Sequence, residues 1–275
     1  MKNILIPIDF SENAQKALKA AQFIASKTGA SLTLLHTNQP YVSDIAIPVT
    51  MSSLPLYQEL ENTYKQQLEE YVASAQADGY QAEGIWESDG IYPAILRQAK
   101  ETDADLIVVG RTGKGSFMDK LIGSSATDVA LHAPCPVLIV PFQVNKIEFK
   151  EIVYATQLEF EEIDILRQVK KLTDQLGSRL TFIKISSLEQ PNIQPDSQYI
   201  KQITEELHIP DSDIIIRDGG NVLDEIENYC DEVKADLLIV STRERGFLEQ
   251  FIINPSMTKK LIVETHVPLL VYHIK

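Results

Sequence analysis

The sequence predicts an α/β fold: two tandem doubly wound, Rossmann-like domains, each built on a five-stranded parallel sheet. Three observations predict it. Short apolar runs that read as strands buried on both faces alternate with longer stretches whose apolar residues recur at helical spacing. The alternation occurs twice: KNILIPID at Lys2 returns as KEIVYATQ at Lys150, SLTLLHT at Ser31 as RLTFIKI at Arg179, ADLIVVG at Ala104 as ADLLIVS at Ala235, and PVLIVPF at Pro136 as PLLVYHI at Pro268. The length, 275 residues, accommodates two units that can each bury a core. The cut falls in Phe142 to Lys146, giving domains 1–144 and 145–275.

In the first repeat, NILIPIDF (Asn3 to Phe10) is strand one and delivers Asp9 to its carboxyl end. The helix that follows carries Ala14, Leu18, Ala21, Ile24 and Ala25 on one face. Strand two is Ser31 to Thr37. A long connection containing Pro and Ser, Asn38 to Pro55, precedes a helix with Tyr57, Leu60, Tyr64, Leu68, Tyr71 and Ala75 in step. A connection of that length reads either as a lid over a ligand or as a surface excursion. Gln81 to Ser88 is strand three, Gly90 a turn, Tyr92 to Lys100 a helix, and Ala104 to Val109 strand four. His36 and Trp86 lie inside strand runs, where core packing is expected. The second repeat follows the same order with a shorter passage from strand two to strand three, Ser186 to Ser212, holding a helix around Ser197 to Leu207.

The stretch with the most chemistry runs from Gly110 to Ser125, GRTGKGSFMDKLIGSS, directly after strand four. Its glycines are spaced G-x2-G-x9-G-[ST]. Gly110 and Gly113 fall where the chain must turn and expose backbone N–H groups, and Gly123, Ser124 and Ser125 open a second helical run. Free N–H groups, two hydroxyls and a positive helix end facing one point form an anion cradle. It is not a Walker loop, because two residues rather than four precede Gly113-Lys114 and Gly115 follows where Ser or Thr is needed. The dinucleotide fingerprint fails too, since the order here is G-x-x-G-x-G and the strand is a late one.

What the pattern resembles is the universal stress protein family, whose nucleotide-binding members carry G-x2-G-x9-G-[ST] after their fourth strand. The resemblance covers the whole chain as a tandem, and it implies an adenine nucleotide as ligand: ATP first, AMP or ADP as alternatives, with or without Mg. On that resemblance the cofactor-binding residues are Pro7, Ile8, Asp9, Thr37, Gly110, Arg111, Thr112, Gly113, Lys114, Gly123, Ser124 and Ser125. Asp9 would meet the adenosine part and the backbone at Thr37 the adenine. Two readings of Asp9 stand side by side, this one and a helix-cap or turn residue helped by Ser11 and Glu12. Arg111 and Lys114 read either as phosphate neutralisers or as solvated loop cations. Family members commonly dimerise through the closing strand, which implies that the two repeats pair through theirs about a pseudo-twofold. A homo-oligomer beyond that pairing stays open.

The second repeat lacks the motif. Counted from the shared ADL, Ser241 replaces Gly110, Glu244 replaces Gly113, Asn254 replaces Gly123 and Pro255 replaces Ser124, while Gln157 stands where Asp9 stood. Glu244 adds negative charge and Pro255 offers no N–H, so this repeat is expected to be a degenerate, structural or signalling partner. Arg243 and Arg245 read either as a site for some other anion or as a solvated loop.

Composition narrows the partners. The net charge of −14 is spread over both halves, with 16 acidic against 10 basic residues in 1–144 and 23 against 15 in 145–275. Neither half attracts nucleic acid or anionic membrane unspecifically. The two cysteines, Cys135 and Cys230, form no disulfide framework, no His or Cys cluster has metal-ligand spacing, and no apolar run approaches a signal-peptide core or a membrane span. A cytoplasmic location is expected. Scattered acids and strand-borne histidines form no catalytic constellation. The reading is a nucleotide-binding stress or regulatory protein, with a ligand-free interaction scaffold and a slow ATPase as alternatives.

Overall fold

The computed structural model describes residues 1–38, 55–111, 125–156, 162–186, 196–243 and 255–274. The first repeat runs β1 (Asn3–Pro7), α1 (Glu12–Thr28), β2 (Ser31–Thr37), α2 (Pro55–Ala77), β3 (Ala82–Glu87), α3 (Ile91–Glu101), β4 (Leu106–Arg111), α4 (Ser125–His132) and β5 (Val137–Pro141). The second runs β6 (Glu151–Ala155), α5 (Ile163–Leu176), β7 (Arg179–Ser186), α6 (Asp196–Leu207), β8 (Ile214–Asp218), α7 (Val222–Val233), β9 (Leu237–Arg243), α8 (Pro255–Glu264) and β10 (Leu269–Ile274), with a 3-10 turn at Asp211–Asp213 before β8.

All ten strands join one sheet in the order β3-β2-β1-β4-β5-β10-β9-β6-β7-β8. Within each repeat every pairing is parallel. The seam between repeats is the antiparallel pair β5·β10, with Ile139 opposite Leu269 and Val137 opposite Val271. The two five-stranded sheets expected from sequence are therefore halves of one ten-stranded sheet, and each closing strand covers the other's edge.

Apolar residues explain the layers. The central strands carry side chains buried on both faces, for example Leu5, Ile6, Ile107, Val108, Leu238 and Ile239, so helices must cover both. One core unites α1, α2, α5 and α6 with one face of the sheet, and a second unites α3, α4, α7 and α8 with the other. Like helices of the two repeats share a face across an antiparallel seam, which sets the pseudo-twofold perpendicular to the sheet. α1 lies close because its buried stripe is mostly alanine: Ala14, Ala17, Ala20, Ala21 and Ala25. It stops at Gly29 (φ 74°), and α5 stops at Gly177 (φ 71°), the left-handed caps that a side chain would strain.

The ADL motif shared by the repeats proves structural. The Asp105 carboxylate accepts from the backbone N–H groups of Lys2 and Asn3, and Asp236 accepts from those of Lys150 and Glu151. Each aspartate thus pins the amino end of its repeat's first strand beside the fourth. Among the described residues no helix is long and apolar enough to cross a membrane.

Candidate functional site

The order β3-β2-β1-β4-β5 reverses direction between β1 and β4, because α1 and α2 cover one face and α3 and α4 the other. A doubly wound sheet opens its ligand crevice outside the carboxyl ends of the strands at such a point. Ile4 and Leu5 pair with Leu106 and Ile107, so Pro7, Ile8 and Asp9 leave β1 beside the end of β4 at Gly110 and Arg111.

Pro7 ends β1 opposite Leu35, and the Ile8 N–H continues the ladder by donating to Leu35 O at 2.8 Å. The Ile8 carbonyl accepts from His36 Nδ1 at 2.7 Å, which fixes the proton on that nitrogen. His36 is buried, as expected, and its burial holds its pKa below the ordinary value against the opposing pull of the Ile8 hydrogen bond and the Asp9 charge. Phe10, His36 and Tyr64 pack ring to ring beside it, with Phe10 stacked on Tyr64 at 5.7 Å. Phe10 adopts φ 63°, a left-handed conformation unusual for an aromatic residue, immediately after Asp9. Trp86 packs against the core from its margin: it is half-buried, with His36 on one side at 4.9 Å and Lys65 Nζ over its ring at 5.1 Å.

Asp9 sits in the turn before α1 and braces its cap, which is Ser11. Its Oδ1 accepts from the Ser11 N–H at 3.0 Å and from Ser11 Oγ at 2.5 Å, and Ser11 Oγ in turn accepts from Ala14 N as the N-cap of α1. The Asp9 carboxylate remains exposed at the crevice. Thr37 ends β2 opposite Glu87, half-buried.

Gly110 has a backbone reason to be glycine. A Cβ there would lie 2.3 Å from the Asn13 carbonyl oxygen and 3.0 Å from Asn13 Cβ, so only glycine lets the end of β4 rest on the start of α1. Asn13 Oδ1 beside it is buried and has no partner among the described residues. Arg111 departs from the phosphate reading: its side chain is buried and donates to the carbonyls of Ile262 and Thr265 in the second repeat. Thr112, Gly113, Lys114, Gly123 and Ser124 lie outside the described residues, and Ser125 is the first residue of α4. Gln157, Glu244 and Asn254 of the second repeat also lie outside them, and Pro255 opens α8.

The corresponding place in the second repeat is built differently, by residues that sequence reasoning missed. Counted in step from Lys2 and Lys150, Ala14 corresponds to Glu162, Ile6 to Tyr154, Ile8 to Thr156 and His36 to Lys184. Glu162 is completely buried. Its Oε1 accepts from Tyr154 Oη at 3.0 Å and Ser241 Oγ at 2.7 Å, and its Oε2 from Thr156 Oγ1 at 2.7 Å. Burial, reinforced by the Glu162 charge, pushes the Tyr154 phenol well above its usual range, so Tyr154 stays a donor. Lys184 is buried and ion-paired with Asp196 at the start of α6. The substitutions are concerted: the place where Gly110 meets Asn13 in one repeat is held in the other by a carboxylate and three hydroxyls. Stepwise alignment of the repeats carried the signal, since Glu162 falls on the buried alanine stripe of α1.

Two doubly wound α/β units sharing one ten-stranded sheet define a tandem α/β protein. A family model described as the universal stress protein family matches residues 1–141 and again 149–273, and the chain belongs to that family. The universal stress protein YxiE of Bacillus subtilis is 34% identical over 149 residues, covering 50% of this chain and 97% of that protein. A crystal structure of a universal stress protein from Archaeoglobus fulgidus superposes with a TM-score of 0.73 at 19% identity over 99% of this chain and 96% of that one. A family protein from Arabidopsis thaliana, solved with AMP bound, covers 51% of this chain and 92% of its own at 17% identity and a TM-score of 0.37.

Proposed function

We propose that the first repeat binds one adenine nucleotide at the carboxyl ends of β1 and β4, with ATP as the leading ligand and AMP or ADP as alternatives, in a stress-response or regulatory role. The observation that carries this reading is the contrast at one place in the fold. In the repeat with the G-x2-G-x9-G-[ST] spacing, Gly110 lets the end of β4 close directly on Asn13 at the start of α1 and leads into the glycine stretch; in the repeat without it, the counterpart Ser241 is tied instead to the buried Glu162. Membership of the family supports the ligand class.

The residues fit such a ligand. Asp9 is exposed beside β4 for the adenosine part, and the backbone at Thr37 is assigned to the adenine. Backbone N–H groups at Gly113, Gly123, Ser124 and Ser125 are assigned to the phosphates, with Lys114 as their counter-charge. A bound Mg would be carried by the phosphates. Arg111 is left out of this set, and the second repeat is assigned no nucleotide. A cytoplasmic setting accords with two free, buried cysteines.

The test is to denature the purified protein, identify any released nucleotide by mass spectrometry, and follow thermal unfolding with added ATP, ADP, AMP and cyclic nucleotides. An adenine nucleotide released, or a ligand-dependent rise in the unfolding temperature that Gly113→Val removes, supports the reading. No release and no stabilisation by any of them favours a ligand-free scaffold.

A further inference from the structure

The sheet ends on β3, and no described strand lies beyond it. Leu32 N donates to Gln81 O and Asn38 N to Glu87 O, so the odd-numbered residues of β3 bond inward to β2. Ala82, Gly84 and Trp86 therefore turn their N–H and C=O groups out to the edge. The Ala82 carbonyl is taken by Gln76 Nε2 at 2.8 Å, whereas the backbone groups of Gly84 and Trp86 meet no partner among the described residues.

A groove of about 350 Å³ runs along this edge. One wall is a stripe of α2, Lys65, Leu68, Glu69, Val72, Ala73 and Gln76, spaced i, i+3, i+4, i+7, i+8, i+11; the other is Gly84 and Trp86. Gly84 lets the walls approach, since a Cβ there would stand 3.1 Å from Val72 Cγ2 and 3.2 Å from Leu68 Cγ. The opposite edge of the sheet differs. There the register sets Ile214 beside Phe182 where Gly84 lies beside Leu34, and the Ile214 side chain is buried.

Charge narrows the occupant. Ala82 and Trp86 pack on the α2 side of the sheet and Ile85 on the other, so Glu83 and Glu87 point away from the groove. Lys65 and Arg97 are already paired, with Glu61 at 2.6 Å and Glu87 at 2.9 Å, while Glu69 and Glu83 are exposed with no cation among the described residues. A second copy of this chain is disfavoured. The antiparallel register that would pair Gly84 of each copy with Trp86 of the other also sets Glu83 against Glu87.

We propose that this edge docks an extended segment of a basic partner protein, which adds a strand to β3 with apolar side chains in the groove and lysine or arginine beside Glu83 and Glu87. An alternating sequence meets both demands, because successive side chains of a strand point to opposite faces. The surface is separate from the nucleotide assignment and does not rest on it.

Fluorescence anisotropy on the full-length chain tests it, with a labelled peptide of about eight alternating valines and lysines as the probe. A version with glutamate for lysine tests the charge. Two more carry N-methyl groups on the valines only or on the lysines only, because a paired strand turns every second N–H to its neighbour. The expected result is saturable binding of the lysine peptide, about tenfold weaker binding of the glutamate peptide, about tenfold loss in one N-methyl version and not the other, and slower hydrogen exchange at the Gly84 and Trp86 amides in the complex. Glu83→Lys should weaken binding about threefold and Gly84→Val about tenfold. Should Gly84→Val not fold, the exposed Glu83→Lys and the peptide series decide. Absence of binding, equal binding of the two N-methyl versions, equal binding of the glutamate peptide, or unchanged exchange at Gly84 and Trp86 would overturn the proposal. So would protection of those amides that grows with protein concentration in the absence of peptide, which would give the edge to a second copy.

Discussion

Ser241 Oγ donates to Glu162 Oε1 at 2.7 Å inside the core of the second repeat, at the position that Gly110, resting on Asn13, holds in the first. One fold position is thus solved in two ways, a bare backbone contact in one repeat and a buried carboxylate in the other.

The buried carboxylate makes a stability prediction. Glu162→Ala removes from the core the acceptor shared by the hydroxyls of Tyr154, Thr156 and Ser241, so it should cost about 3 kcal/mol. Ser241→Gly, which removes a single donor, should cost about half that. Urea unfolding of both variants checks the order; Glu162→Ala as stable as wild type would show that the network holds nothing.

Gly110 should behave as a structural glycine whatever it does for a ligand. Gly110→Ala places Cβ against the Asn13 backbone, which has no side-chain freedom with which to yield, and should destabilise the protein by about 2–3 kcal/mol. Gly113→Val is expected to weaken nucleotide binding with little effect on the unfolding midpoint. Equal loss of stability in both variants would erase the distinction.

Much of this was legible in the sequence. Runs such as LIVVG and LLIVS are apolar at successive positions because both faces of the strand are covered, and the repeat of four such runs gave the tandem order. The pairing of β5 with β10 was expected from the resemblance to proteins that dimerise through the closing strand, an edge that a second copy can cover. Other features were hidden for physical reasons. A glutamate ahead of an apolar helical run reads as a solvated first-turn acid; its burial is made tolerable by the hydroxyls of Tyr154 and Thr156 just upstream and of Ser241, 79 residues away on β9. Arg111 beside a glycine turn reads as a phosphate ligand. The acceptors that bury it lie about 150 residues away and reach it through the antiparallel seam, which no local pattern encodes.

His36 predicts a pH dependence. Its folded pKa lies below the ordinary 6.5, so between the two values the unfolded state binds more protons than the folded one. The stability this residue contributes is fully present above pH 6.5 and is lost as pH falls through the folded value. His36→Asn should flatten the dependence of the unfolding midpoint in that window. An unchanged slope in the variant would assign it to other groups.

The thiols should be inert in the native protein. Burial pushes the Cys230 thiol up to about 12, and Cys135 is also buried. An aromatic disulfide reagent at pH 8 should titrate no thiol in folded protein and both after denaturation. Rapid reaction of the native state would contradict the packing around α7 and β5.

The most direct measurement is a calorimetric titration of ligand-free protein with ATP, and with AMP in parallel. One adenine nucleotide per chain is predicted, lost in Gly113→Val and kept in Glu162→Gln, which alters only the second repeat. Two equivalent sites, or binding that survives Gly113→Val and vanishes when the second repeat is altered, would contradict the assignment of the ligand to the first repeat.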